Sequence, residues 1–240
     1  DFELIPYFKL MVEREASDLF LYPGAPVNIK LHGRVAPVKD EPIDAETVRE
    51  AIYALLNEEQ ITQLNTNYEL DTALSFEGIG RFRANVFRQR GELGLVVRYV
   101  KAEVPTVEEL GLPLILQEMV MEKRGLIIIV GITGSGKSTS LASMIDYRNK
   151  HQSGHIITIE DPIEFLHHHQ KSIIGQRELG LDTKSYEVAL ESAMREAPDV
   201  VLVGEVRNRA VMRATLNFAI TGHLSLTTLH AKNAVAALDR

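Results

Sequence analysis

The 240-residue sequence contains no cysteine. Disulfides, thiolate zinc sites and a cysteine nucleophile are therefore excluded, and the composition suits a reducing, cytoplasmic compartment. No apolar run approaches the roughly 18–20 residues that span a bilayer. The longest runs, such as Leu126–Val130 and Val200–Val203, have the length of buried strands. A basic balance is missing too. The net charge of −7 argues against a nucleic-acid partner, because neutralising phosphates takes clustered lysine and arginine. These residues hold no repeat or low-complexity tract, and no signal peptide is expected. The first residues, with Leu4, Ile5, Phe8, Met11 and Val12, already read as an amphipathic helix, so the natural start is expected to lie upstream. What remains, 45% hydrophobic and 25% charged, is ordinary for a folded soluble protein of one or two domains.

The two halves differ in rhythm. Up to about Val104, short alternating segments surround one clear helix, in which Val48, Ala51, Ile52, Leu55 and Leu56 follow an Asp44 N-cap. Asn28–Leu31 and Arg34–Val38 flank His32-Gly33 as a hairpin would, and Arg81–Val86 and Leu93–Val100 flank a turn containing Gly91 and Gly94. This reads as a small α+β domain over residues 1–102. Residues 103–240 instead alternate strand and helix. Thr106 and Glu109 form a capping-box pattern ahead of a helix through Leu114–Met121. Strands follow at Leu126–Val130, His155–Glu160, Val200–Val203 and Leu224–Leu229. Helices begin at Lys137 and lie near Ser185–Glu196 and Ala210–Ile220. Continuous apolar strands separated by helices predict an α/β domain with a largely parallel sheet covered on both faces.

Gly131-Ile132-Thr133-Gly134-Ser135-Gly136-Lys137-Ser138 matches G-x-x-x-x-G-K-[ST] in full, after an apolar strand and before a helix. The glycines let successive backbone N–H groups turn inward on phosphate oxygens, and the helix offers its positive end to the same anion. Lys137 is placed to reach the β- and γ-phosphates of ATP. Ser138 is placed to ligate Mg²⁺, and Thr139 follows in the same turn. Two other strands run into acids at the ends where ligands bind in such sheets: Val200–Val203 into Glu205, and Ile156–Ile159 into Glu160, Asp161 and Glu164. Hydrolysis needs one group to hold the Mg²⁺ shell, a role that suits Glu205, and another to orient or deprotonate water. Glu160 and Asp161 are expected beside the nucleotide. His230 ends the last strand, within reach of the γ-phosphate or Glu205. His167–His169 reads as a solvated loop and not as a zinc site.

Arg81 and Arg83 alternate with Phe82 and Ala84 and so share one strand face, with Arg98 on the next strand. They are solvated charge, arginine fingers aimed at a γ-phosphate, or a nucleic-acid patch, the last weakened by the acidic balance.

Gly131–Ser138, Ile156–Phe165, Leu202–Arg207 and Thr221–His230 resemble, in order and spacing, the Walker A, Asp, Walker B and His boxes of secretion-superfamily ATPases. Ala16–Leu19 and Pro23–Pro26 narrow the resemblance to the type IV pilus retraction ATPases, the PilT/PilU group. Asp18–Phe20, Gly154–Asp161 and Ala197–Val200 look closer to its PilU branch. The resemblance implies a PAS-like N-terminal domain, a RecA-like ATPase core and a homohexamer beneath the inner membrane. It further implies an inner-membrane platform protein and a second retraction ATPase as partners. Glu164 would be the catalytic glutamate, Glu205 the Walker B acid and His230 the His-box histidine. Arg83 and Arg98 would reach the phosphates. The family's C-terminal helical region is not among these residues, which end at Asp239-Arg240 as another helix begins. A four-cysteine zinc insert of the kind seen in assembly and type II secretion relatives is likewise lacking. Other machines of the superfamily, a secretion or DNA-uptake ATPase or an ATP-binding accessory subunit of a partner motor, share the same boxes.

Overall fold

A computed structural model describes residues 2–238. It separates into two compact units that divide between Val100 and Lys101. The first contains α1 (Ile5–Glu13), β1 (Asp18–Leu21), β2 (Asn28–Leu31), β3 (Arg34–Pro37), α2 (Ala45–Tyr53), α3 (Glu58–Asn67), β4 (Glu69–Phe76), β5 (Gly80–Gln89) and β6 (Glu92–Val100). Its strands form one antiparallel sheet in the order β3-β2-β1-β6-β5-β4. Period-two alternation buries Phe82, Ala84 and Val86 of β5 against Phe8 and Met11 of α1, Val48 and Ile52 of α2 and Leu64 of α3. Asp44 caps α2, accepting from the Glu46 and Thr47 N–H groups at 3.0 and 2.9 Å.

Two expectations change here. Helix α3 has little apolar signal, but Asn57 and Gln60 close a reciprocal capping box at its start. The β5–β6 turn is Arg90-Gly91, both at positive φ, whereas Gly94 lies inside β6. A Cβ on Gly94 would stand 2.8 Å from the Phe87 ring, so the glycine serves packing and not turning.

The second unit contains α4 (Ile115–Val120), β7 (Gly125–Val130), α5 (Lys137–His151), β8 (Gly154–Glu160), β9 (Ser172–Glu178), α6 (Tyr186–Ala193), β10 (Val200–Val203), α7 (Arg209–Ile220), β11 (Leu224–Leu229) and α8 (Ala234–Leu238). All five strands are parallel, in the order β7-β11-β10-β8-β9. Ile156, Val200 and Leu202 face Leu141, Met144 and Ile145 of α5. Their neighbours Ile157, Ile159, Val201 and Val203 face Leu190 of α6 and Phe218 of α7. Burial on both faces is why these strands are apolar without alternation.

The Thr106–Glu109 box does form, with bonds of 2.8 and 3.2 Å. It closes only a turn, and α4 starts after Pro113, which stops an earlier helix from running on. Strand β9 has no counterpart among the expected strands. The helix expected at the end of the sequence is α8; Asp239 and Arg240 lie outside the described residues.

Candidate functional site

Because the strands are parallel, their carboxyl ends share one edge of the sheet. The segments leaving β7, β8, β10 and β11 line a cleft there of about 280 Å³. On one wall, Gly131–Gly136 joins β7 to α5. Gly134 and Gly136 have φ of 77° and 86°, the left-handed region that a side chain resists. Ser135 Oγ donates to the Ile132 carbonyl at 2.8 Å, and the buried Lys137 donates its Nζ proton to the same oxygen at 2.8 Å. The ammonium thus sits over the loop at the start of a 15-residue helix with no acid in its first turn. Charge and helix dipole both favour an anion at this wall. Thr133, Gly134 and Ser138 border the cleft directly, and Thr139 is the third residue of α5.

The facing wall is acidic. After β10, Gly204 passes so close to β8 that a Cβ would lie 3.3 Å from the Glu160 Cα. Glu205 follows, and both its carboxylate oxygens are engaged. Arg207 Nε bonds Oε1, and His230 Nε2 lies 3.1 Å from Oε2. The other arm of Arg207 meets Asp161 Oδ2 at 2.9 Å, and its guanidinium lies 5.8 Å from the Tyr186 ring centroid. Glu205, Asp161 and His230 are therefore one connected network contributed by the ends of three strands.

Glu160 ends β8 on the face of Thr158. Burial pushes its carboxyl up to about 7, against the lowering effect of bonds from Thr158 Oγ1 (2.6 Å) and Gln176 Nε2 (3.2 Å). The charges of Glu164 and Glu178 add to the rise. Glu164 itself is exposed on the loop after Pro162 and borders the cleft. The structure thus gathers Lys137, Ser138, Glu160, Asp161, Glu164, Glu205 and His230 around one space. Such a set can hold a polyanion on one side and present carboxylates to water on the other.

Arg83 and Arg98 belong to the first unit, opposite each other on β5 and β6, where they line a cavity of about 150 Å³ with Asp71. Arg98 Nε also pairs with the buried Asp18 at 2.9 Å. Arg98 is nevertheless exposed, and Arg83 is half-buried.

The histidine run differs from expectation. His167 lines the cleft with its Nδ1 buried, and burial lowers its pKa to about 4. His169 Nδ1 accepts the Ile174 N–H at 3.0 Å, and the His168 carbonyl accepts from Asn149 Nδ2 of α5 at 2.7 Å. The run is pinned between α5 and β9, so only part of it faces solvent. Sequence reasoning also missed Thr158, Gln176 and Glu178. With β9 recognised, pairing with β8 in parallel register would have placed all three on the face of Glu160.

A family model described as type II/IV secretion system protein matches residues 45–240. The chain belongs to this family. It is 53% identical over 232 residues to the type IV pilus ATPase PilU of Pseudomonas aeruginosa, covering 97% of this chain and 61% of that protein. Against PilT, the type IV pilus retraction ATPase of the same organism, identity is 42% over 225 residues, covering 94% of this chain and 65% of PilT. The chain therefore spans less than two thirds of either relative. A crystal structure of the retraction motor PilT with bound ADP superimposes with a TM-score of 0.93 at 44% identity, over all of this chain and 70% of that one. The Legionella pneumophila ATPase DotB does so with 0.80 at 26%, over 99% of this chain and 67% of that one. The fold of this family member is accordingly the α/β fold of RecA-like NTPases. Among the described residues no helix is long and apolar enough to cross a membrane.

Proposed function

We propose that this chain is the ATP-hydrolysing part of a type IV pilus retraction motor, with ATP held between the Gly131–Ser138 loop and the carboxylates opposite. The observation that carries the reading is the cleft itself: a lysine at a helix N-terminus faces Glu164 and a Glu205–His230 pair across about 280 Å³. Lys137 would exchange its Ile132 carbonyl for β- and γ-phosphate oxygens. Backbone N–H groups of the loop, with Ile132 and Thr139 flanking them, would bind the remaining phosphate charge.

Glu164 would take a proton from water. The water oxygen would then bond to the γ-phosphorus as the bond to the β–γ bridging oxygen breaks, yielding ADP and phosphate. His230 would hold Glu205 in place and sense the γ-phosphate. Hydroxyl and carboxylate oxygens suit magnesium, and Ser138 with Glu205 would hold it, directly or through water. The ion would neutralise charge building on the phosphates.

The family resemblance supports the rest of the assignment. Residues 1–102 would be a PAS-like domain supplying Arg83 and Arg98 to a phosphate site, and residues 103–240 the ATPase core. The whole protein would work as a homohexamer on the cytoplasmic side of the inner membrane. It would act against a platform protein and beside a second retraction ATPase, with no nucleic acid involved. Higher identity to PilU and PilT than to competence or type II secretion ATPases supports a pilus role.

Phosphate release by the full-length protein tests the site. Lys137→Ala should weaken nucleotide binding, and Glu164→Gln should spare binding and slow turnover. Parent-like rates in both would defeat the assignment. Restoration of twitching to a deletion strain by the parent but not by Glu164→Gln tests the motor role. Turnover seen only with a partner ATPase present would mark an accessory subunit instead.

A further inference from the structure

Residues 161–167, which carry Glu164, have no regular secondary structure, yet their backbone is held at alternate positions by side chains of one strand. Gln176 Oε1 accepts the His167 N–H at 2.8 Å, and Gln176 Nε2 donates to the Phe165 carbonyl at 2.9 Å. Glu178 Oε2 accepts the Ile163 N–H at 3.0 Å. The same Gln176 amide donates to Glu160 Oε2 at 3.2 Å. From the other side, the Lys101 carbonyl accepts the Leu166 N–H at 2.9 Å.

Residues 163, 165 and 167 thus meet β9 as the alternate residues of a strand meet a neighbour, except that the partners are side chains two residues apart on one face of β9. A main-chain partner would fix the segment only at strand spacing. Side chains hold it at the distance that leaves Glu164 bordering the cleft.

We propose that Gln176, with Glu178, is a positioning residue: it clamps the 163–167 backbone so that Glu164 is held at the edge of the cleft that the phosphate loop borders. This rests on the catalytic role proposed for Glu164. Gln176 touches the loop and Glu160 and acts through them. A reacting group displaced by about 1 Å costs as much as a hundred-fold in rate. Loss of the clamp should therefore lower kcat while leaving nucleotide affinity, set by the loop at α5, almost unchanged.

The test is Gln176→Met in the full-length protein, which preserves volume and removes all three bonds. We expect kcat to fall about ten- to a hundred-fold with KM changed less than about three-fold. In a Glu164→Gln background the same substitution should add almost nothing. Hydrogen exchange of the 163–168 amides should quicken in Gln176→Met while α5 is unaffected. Unchanged exchange there would overturn the clamp. So would parent-like kcat in Gln176→Met when Glu164→Gln is slowed. If Glu164→Gln keeps parent turnover, the catalytic assignment has failed, and exchange still decides the clamp by itself. Should the methionine variant not fold, Gln176→Asn, which withdraws the amide by one methylene, is judged by the same readings.

Discussion

Glu160 and His167 border the same cleft with opposite protonation behaviour, which makes their effect on stability separable. Unfolded, Glu160 releases its proton near 4.5; folded, it keeps it to about 7 because burial penalises the charge. Between those values the unfolded chain binds fewer protons, so stability falls as pH rises. The contribution is complete below 4.5 and lost on passing 7. At roughly 1.4 kcal/mol per pH unit the full difference is roughly 3 kcal/mol, and water in the open cleft reduces it to roughly 2. His167 runs the other way. Its pKa drops from 6.5 to about 4, so stability is complete above 6.5 and lost as pH falls through 4.

In the parent the two slopes oppose each other between pH 4.5 and 6.5 and largely cancel. Glu160→Gln exposes the histidine slope, and stability should rise by roughly 2 kcal/mol from pH 4.5 to 6.5. His167→Gln exposes the glutamate slope, and stability should fall by a similar amount from pH 4.5 to 7. Urea unfolding of the three proteins at half-unit intervals measures this through midpoint and slope. Parallel stability curves for the parent and Glu160→Gln would refute the reasoning, since no other titrating group differs between them.

Arg148 is buried on α5 and donates from Nη1 to the Val120 and Glu122 carbonyls at 2.6 and 2.8 Å. Arg148→Met strands both acceptors and should cost roughly 2–4 kcal/mol, read as a lower urea midpoint. Asn57→Ala removes the capping box of α3 and should cost about 1 kcal/mol, seen in the unfolding of the first unit. Arg83→Ala and Arg98→Ala should each slow phosphate release by the assembled full-length protein. If both turn over at the parent rate, these arginines serve only the sheet, where Arg98 pairs with Asp18.

Part of the site is legible in the amino-acid sequence. The phosphate loop is built from eight consecutive residues, so its anion-binding geometry is a local property of glycine spacing and the helix that follows. Glu205 and His230 can be placed because an apolar strand fixes where its own carboxyl end falls. Strand β9 is not legible: in Ser172-Ile173-Ile174-Gly175-Gln176-Arg177-Glu178 the polar Gln176 and Glu178 face a neighbouring loop, so neither simple alternation nor a continuous apolar run emerges. The Thr106 box misleads for the opposite reason, since a local bonding pattern closes a turn as readily as it opens a helix.

By itself, then, the sequence determined the parallel α/β core, the phosphate loop and the acids at the strand ends, because each depends on neighbours in the chain. Only the tertiary structure decided what those acids touch. The Arg207 bridge from Glu205 to Asp161, the burial that raises Glu160 and depresses His167, and the grip of Gln176 on the Glu164 loop all join residues that meet only when strands pair side by side. Desolvation and hydrogen-bond partners are properties of that assembled edge, and no spacing along the chain encodes them.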